Sequence, residues 1–284
     1  MQTKKGGDNA AARDAIAKAF VRARRAAQPL KAYPGVAPQS LDEAYAIQDL
    51  ALGLWSDRIA GWKVGRINGA TAAALNCNRL AGPIFKGAVR EAGDDIAMPV
   101  FDGGFAAVEA ECVLILAEDA PEGKTEWATE EAQELIGSVV AGIEIASSPF
   151  AGINDLGPLV TISDFGNNNG LIIGEELPGW SAFDIDDWIF ETLIDGQTVG
   201  VSAAGAIPGG PVESLRFLLE NTAKRGMALK KGMTISSGAV TGVHEIKIGQ
   251  EAVIRYRNDN VLRCHLIAAT PANNAGAETG KILA

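Results

Sequence analysis

The run Ala107-Val108-Glu109-Ala110-Glu111-Cys112-Val113-Leu114-Ile115-Leu116 limits what this chain can become. Its aliphatic and β-branched content reads as a buried strand. Strand residues alternate faces, so Glu109 and Glu111 project from one side with Cα atoms about 6.5–7 Å apart. Two like charges on a half-buried surface repel and lose hydration; unpaired, they destabilise the fold or take up protons. A hard divalent cation such as Mg²⁺ is an economical remedy, because it prefers carboxylate oxygens. A third carboxylate stands in Val139-Val140-Ala141-Gly142-Ile143-Glu144-Ile145-Ala146, where Glu144 is the lone charge of an apolar strand. Glu109, Glu111 and Glu144 together would make a three-carboxylate site. The competing reading places Glu109 and Glu111 on the solvated face of an edge strand and pairs Glu144 with an arginine or lysine. Composition alone leaves both open.

Charge narrows the partners. The net charge is −10 and the sequence pI about 4.8, which disfavours a broad phosphate-binding surface and nucleic acid as a partner. An acidic pocket holding a cation is compatible with it. The apolar stretches are shorter than the roughly 18 residues a membrane span needs. The opening MQTKKGGDNA has no apolar core behind its charges, so no secretory signal is expected, and the reading is of a cytoplasmic protein without a membrane partner. Cys77, Cys112 and Cys264 are scattered and form no CxxC pair, so buried thiols are expected. With only His244 and His265 available, His-rich metal sites and Ser-His-Asp catalysis are disfavoured. Neither a Gly-x-Gly-x-x-Gly nor a Walker-type loop occurs.

A chain of 284 residues, 47% hydrophobic, can bury a substantial core. Its patterning changes near residue 60. Before that point the spacing predicts helices, one over Ala11 to Ala27 and one behind the capping box Ser40-Leu41-Asp42-Glu43, with Ala44, Ile47, Leu50, Ala51 and Leu54 as its apolar stripe. Beyond it, short β-like runs alternate with Gly, Pro, Asn and Asp. Strands are expected over 60–65, 106–117, 139–146, 171–174, 186–195, 233–237, 245–248, 251–257 and 261–268. Asp195-Gly196 reads as a hairpin turn and Asn258-Asp259-Asn260 as a loop. Two helices interrupt, over Glu130 to Ser138 and over 211–225, the latter with Pro211 in its first turn and Gly226 at its stop. Segregated elements give the α+β class, divided as a helical N-terminal region 1–60, a β-rich catalytic domain 61–270 and a flexible tail 271–284.

Lys63, in Gly61-Trp62-Lys63-Val64-Gly65, is a lone cation in an apolar run. It would sit at a surface strand end or point into the acidic pocket. Taken in order, GWKVG, the Glu-Ala-Glu strand, Gly-Ile-Glu, an Asp/Asn-rich loop and a Ser-Gly-Ala turn resemble the 2-oxopent-4-enoate (2-hydroxypenta-2,4-dienoate) hydratases and related 2-oxo-3-enedioate decarboxylases of the fumarylacetoacetate hydrolase superfamily. The similarity runs from about Leu41 to about Ala268. It implies a mixed β-roll, Mg²⁺ or Mn²⁺ held by Glu109, Glu111 and Glu144, and a catalytic Lys63 beside a bound small 2-oxo acid. It also implies that Asp164, Asn167 and Asn169, in Ser163-Asp164-Phe165-Gly166-Asn167-Asn168-Asn169-Gly170, bind substrate, and that Ser237 grips the substrate carboxylate. The implied activity is hydration of a 2-hydroxy-2,4-dienoate to a 4-hydroxy-2-oxo acid in aromatic meta-cleavage catabolism, in a homo-oligomer. Decarboxylation of a 2-oxo-3-enedioate is the near alternative, and a non-catalytic partner subunit the alternative of another class. Family hydratases often carry an acidic residue before a Gly-x-x-Phe stretch, whereas this chain reads Arg79-Leu80-Ala81-Gly82-Pro83-Ile84-Phe85. Where many relatives show Ser-Arg after the third glutamate, it reads Ser147-Ser148-Pro149. The hydrolase branch pairs a histidine with an acid to activate water; none lies near residues 60–100, which disfavours C–C hydrolysis.

Overall fold

The structure, a computed structural model, describes residues 2–177, 179–180, 187–257 and 260–272, the side chains of 2–8 excepted. The helical-to-β change falls where the patterning puts it. Helix α1 (Gln2–Ala26) buries Ile16, Ala17, Phe20 and Val21 on one face. Helix α2 (Leu41–Leu54) begins at Ser40, whose hydroxyl accepts the Glu43 N–H at 3.2 Å. The Glu43 carboxylate reaches back to the Gln39 N–H at 2.9 Å, one residue beyond the cap of a standard capping box. Of the expected stripe, Ala44, Ile47 and Ala51 are buried and Leu50 is exposed. The two helices share a core with Phe85, Phe150, Ile153, Val160 and Phe165.

The β region is built on one long antiparallel pair, β5 (Phe105–Leu116) and β6 (Ile136–Ser148). Around it the larger sheet adds β1 (Ile59–Arg66), β2 (Arg79–Phe85), β3 (Val89–Glu91), β7 (Asn168–Glu176) and β10 (Thr234–Ala239) in the order β2-β1-β10-β5-β6-β7-β3. The short β11 (His244–Glu245) also pairs with β5. The β1–β10 and β3–β7 pairs are parallel and the rest antiparallel, so the sheet is mixed. A second sheet orders β4 (Ala97–Val100), β13 (Asn260–Ala268), β12 (Glu251–Tyr256), β8 (Ile189–Ile194) and β9 (Gln197–Ala203). The main apolar core draws on both sheets, including Val108, Leu114, Ile143, Ile235, Phe190, Ile254 and Leu266.

Several expectations are corrected. The helix expected to reach Ser138 is α4 (Thr129–Glu134) and stops early, because Ile136 already pairs with Leu116 in β6 and Gly137 is a poor helix former. Of the strand expected over 245–248, only the first residue pairs; Gly249, at φ +88°, turns the chain. Strand β2 was hidden by Gly82 and Pro83, but it lies at a sheet edge, where a proline's missing N–H is tolerated. The short helices α3 (Gly69–Leu75) and α5 (Pro158–Ser163) gave no periodic signal. Asp195 and Gly196, both at positive φ, make the β8–β9 turn as expected. Residues 186, 258–259 and 273–284, on which expectations were also placed, lie outside the described residues. No helix among the described residues is long and apolar enough to cross a membrane.

Candidate metal centre and active site

The β5–β6 register settles where the carboxylates go. Glu109 is directly opposite Glu144, and Glu111 is opposite Gly142. A Cβ at residue 142 would lie 2.6 Å from Val113 Cγ2 and 3.0 Å from the Ile172 carbonyl oxygen, so a side chain there would disturb the packing beneath the site. Each glutamate offers one oxygen, and these three oxygens lie within 4.8 Å of one another. Glu109 is 4% exposed and Glu111 and Glu144 are fully buried. The alternative of a solvated acidic edge strand is therefore overturned: β5 lies inside the sheet, flanked by β6 and β10. The other half of that alternative is realised, since Glu144 does meet a lysine.

That lysine is Lys63. From β1 its Nζ comes within 3.4 Å of Glu144 Oε1, in a side chain only 5% exposed. Gly82 lies opposite it on β2, and a Cβ there would fall 2.2 Å from the Phe165 carbonyl oxygen. The missing side chain lets the loop after α5 lie against β2 beside Lys63. Neighbouring groups complete the shell. The Asn168 amide donates to Glu144 Oε1 at 3.1 Å. The Gly238 N–H, presented by an irregularity between Ser236 and Ala239 where β10 passes β5, donates to Glu111 Oε2 at 2.7 Å.

The balance of charge is unfavourable as it stands. Three carboxylates and one ammonium leave −2 in a buried space. Burial raises Glu109 to about 7, against the pull of Lys63 and with a further push from Glu144. Burial, then Glu144 and Glu109, push Glu111 well above the carboxylate range. Burial alone would lower Lys63, but Glu144, Glu109 and Glu111 outweigh it and hold it as an ammonium. Buried Oε1 of Glu111 and Oε2 of Glu144 have no hydrogen-bond partner. Unpaired buried carboxylate oxygens, all hard donors, carrying −2 with Lys63 once all three are ionised, fit one hard divalent cation.

Above the carboxylates lies a cavity of about 470 Å³, lined among others by Lys63, Glu109, Asn167 and Ser237. Its remaining wall is mixed, with Val64, Ile67, Leu80, Ile207 and Val243 beside Arg66, Asn68, Arg79, Asn154 and Thr161. The Ser237 hydroxyl donates to the Cys112 carbonyl at 2.6 Å, which leaves its oxygen to accept. Asn167 donates to Asn154 Oδ1 at 3.2 Å, and its own Oδ1 is buried without a partner. Two of the expected substrate contacts fall elsewhere. Asp164 is buried against Arg24 and Ser148, and Asn169 donates to the Pro99 carbonyl at 2.7 Å and borders a different cavity. Charge neutralisation by Arg24 and the start of β7 at Asn168 turn these two away from the carboxylates. Neither histidine lines the cavity. Sequence reasoning missed Asn168, Arg79 and Gly238; three consecutive asparagines carry no mark of which one faces in.

No protein-family model matches the chain. Among solved structures, 4-oxalocrotonate decarboxylase from Pseudomonas putida G7, complexed with calcium and acetate, superposes with a TM-score of 0.73 at 17% identity, covering 90% of this chain and 97% of that one. At this identity the likeness is one of fold. Fumarylpyruvate hydrolase from Pseudomonas aeruginosa, in complex with Mn²⁺ and pyruvate, shares this fold at a TM-score of 0.55 and 16% identity, covering 76% of this chain and 91% of that one. A yeast fumarylacetoacetate hydrolase family protein shares it at 0.51 and 15%, covering 73% and 92%. The mixed α+β architecture expected from the sequence is the architecture of this fumarylacetoacetate hydrolase-like fold.

Proposed function

We propose that this protein is a divalent-cation-dependent lyase that hydrates a 2-hydroxy-2,4-dienoate to a 4-hydroxy-2-oxo acid. The observation that carries the reading is the convergence of Glu109, Glu111 and Glu144, with Lys63 beside them, next to a cavity of about 470 Å³ that Lys63 and Glu109 line. Glu109, Glu111 and Glu144 would hold Mg²⁺ or Mn²⁺, and the bound ion would supply Lewis-acid polarisation of the 2-oxo acid's oxygens.

The chain's own groups have distinct tasks. The Lys63 ammonium, kept charged by its carboxylate neighbours, attracts the anionic head of a 2-oxo acid and stabilises negative charge that develops on its oxygens. Asn167 lines the cavity, and its buried Oδ1 has no protein donor to satisfy it. Leu80, Ile207 and Val243 give the carbon chain an apolar wall. In the reaction a proton passes from the 2-hydroxyl to C5, giving the conjugated 2-oxo-3-enoate. Water then adds at C4 and a proton arrives at C3. Burial of all three glutamates speaks against a non-catalytic subunit with a solvated acidic strand.

A second reading, decarboxylation of a 2-oxo-3-enedioate, is favoured by one observation: the match to 4-oxalocrotonate decarboxylase spans 97% of that enzyme. Both reactions start from a 2-oxo acid bound head-first at the carboxylates. Incubation with 2-hydroxypenta-2,4-dienoate and with a 2-oxo-3-enedioate, each with and without Mg²⁺, separates them. Loss of the dienol ultraviolet band without gas supports the hydratase. Carbon dioxide from the enedioate alone supports the decarboxylase, and inertness toward both sinks the reading.

A further inference from the structure

Among the described residues, a densely hydrogen-bonded cation lies outside the cavity. Arg24, near the end of α1, is 7% exposed. Its Nε donates to Asp164 Oδ1 at 2.6 Å. One terminal nitrogen donates to the Asn168 carbonyl and to Asn169 Oδ1, each at 3.1 Å. The other donates to the Ser147 carbonyl at 3.1 Å, the Asp164 carbonyl at 3.2 Å and Asp164 Oδ2 at 3.0 Å. The rings of Phe101 and Phe165 flank the guanidinium, their centroids 5.4 and 5.3 Å from its carbon. Ser148 adds a 2.6 Å hydrogen bond to Asp164 Oδ2.

What this cation grips is unusual backbone. Phe165, Gly166 and Asn167 are consecutive left-handed residues, at φ +54°, +63° and +56°. L residues avoid that region, and such a run persists only when its surroundings enforce it. The enforced segment leads directly to the site: Asn167 lines the cavity, its Oδ1 buried without a partner, and Asn168 donates to Glu144. On the other side, the Ser147 carbonyl held by Arg24 is three residues along β6 from Glu144.

We propose that Arg24 is a positioning residue for the metal centre: helix α1 inserts it as a clamp that fixes the left-handed run, aims Asn167 into the cavity and sets Asn168 against Glu144. This rests on the metal-centre reading above. The guanidinium geometry is essential to it, because a planar fork reaches both sides of the loop at once and an ammonium does not. Arg24 also borders a second cavity, of about 390 Å³, shared with Trp55, Asn168 and Asn169, which offers a small guanidinium compound a way in.

The test compares wild type, Arg24→Ala and Arg24→Lys in the full chain. It uses Mn²⁺ titration calorimetry, hydrogen exchange over residues 163–170, and added ethylguanidinium. In Arg24→Ala, exchange over 163–170 should rise and Mn²⁺ affinity fall by about tenfold or more, the scale of groups that orient metal ligands. Ethylguanidinium should restore part of both, while Arg24→Lys should stay impaired. A folded Arg24→Ala with wild-type exchange and wild-type Mn²⁺ affinity overturns the proposal, as does lost affinity at unchanged exchange. If Arg24→Ala does not fold, Asn168→Ala serves, since it leaves the Arg24–Asp164 pair intact. About tenfold weaker Mn²⁺ binding in it supports the relay, and wild-type binding ends it. A wild type that binds no Mn²⁺ contradicts the metal centre itself; the clamp is then judged by exchange over 163–170 alone, raised in Arg24→Ala or not.

Discussion

Glu109 and Glu144 face each other directly across the β5–β6 pair, buried, with Lys63 as the cation beside Glu144. Like charges directly opposite on neighbouring strands destabilise a sheet. A fold that keeps them there gains something from their being together, and a shared divalent ion would supply that gain.

Replacing one carboxylate should therefore uncouple ion binding from folding. Glu109→Gln is expected to weaken Mg²⁺ or Mn²⁺ binding by about 10-fold or more and to abolish most metal-dependent turnover. The metal-free variant should be more stable than metal-free wild type, because one repelling charge is gone. Calorimetric titration and thermal unfolding in chelator check both. Unchanged activity with bound metal would contradict the assignment.

Acidity should act on the metal-free protein in a definite direction. Burial raises Glu109 to about 7 and pushes Glu111 up as well. A carboxylate whose folded pKa exceeds its unfolded value stabilises the fold only while protonated. Its contribution is complete below about pH 4.5 and is lost as pH rises through 7. For Glu109 the loss is on the order of 3 kcal/mol. The melting temperature in chelator should thus fall between pH 5 and 8, and the increment produced by Mg²⁺ should grow over the same interval. An increment that stays flat would sink the electrostatic account.

Lys63→Met separates charge stabilisation from ion binding. Turnover should drop by about 10²–10³-fold, the scale for removing a group aimed at developing negative charge. Mn²⁺ binding at pH 8 should persist, since all three carboxylates remain. A variant that turns over normally would remove Lys63 from the mechanism.

Gly82→Ala probes the close approach that brings the Phe165–Asn167 loop beside Lys63. The added Cβ would meet the Phe165 carbonyl oxygen at 2.2 Å, and backbone must shift to relieve it. A loss of about 1–3 kcal/mol is expected from chemical denaturation, with weaker binding of pyruvate plus metal. Wild-type stability would show that the loop has other room.

The parts of this molecule that obey a period were legible in the sequence. Glu109 and Glu111 could be placed on one face because strands alternate, and Ser40 could be placed as a cap because its hydroxyl has a local task. The convergence with Glu144 was only one of two open readings, since register across a long connection is a tertiary property. Strand β2 escaped because Gly82 and Pro83 weaken its local signal while serving a sheet edge and a loop contact. Arg24 escaped for another reason. In Arg22-Ala23-Arg24-Arg25 nothing local distinguishes the buried arginine from its neighbours, and only the docking of α1 against the Asp164 loop selects it.

The most direct measurement is anomalous diffraction from crystals of the wild-type protein grown with Mn²⁺. The account predicts one strong peak among Glu109, Glu111 and Glu144, with an oxygen of each in its coordination shell. Saturating Mn²⁺ with no peak at those residues, or a peak held by surface carboxylates alone, would contradict it.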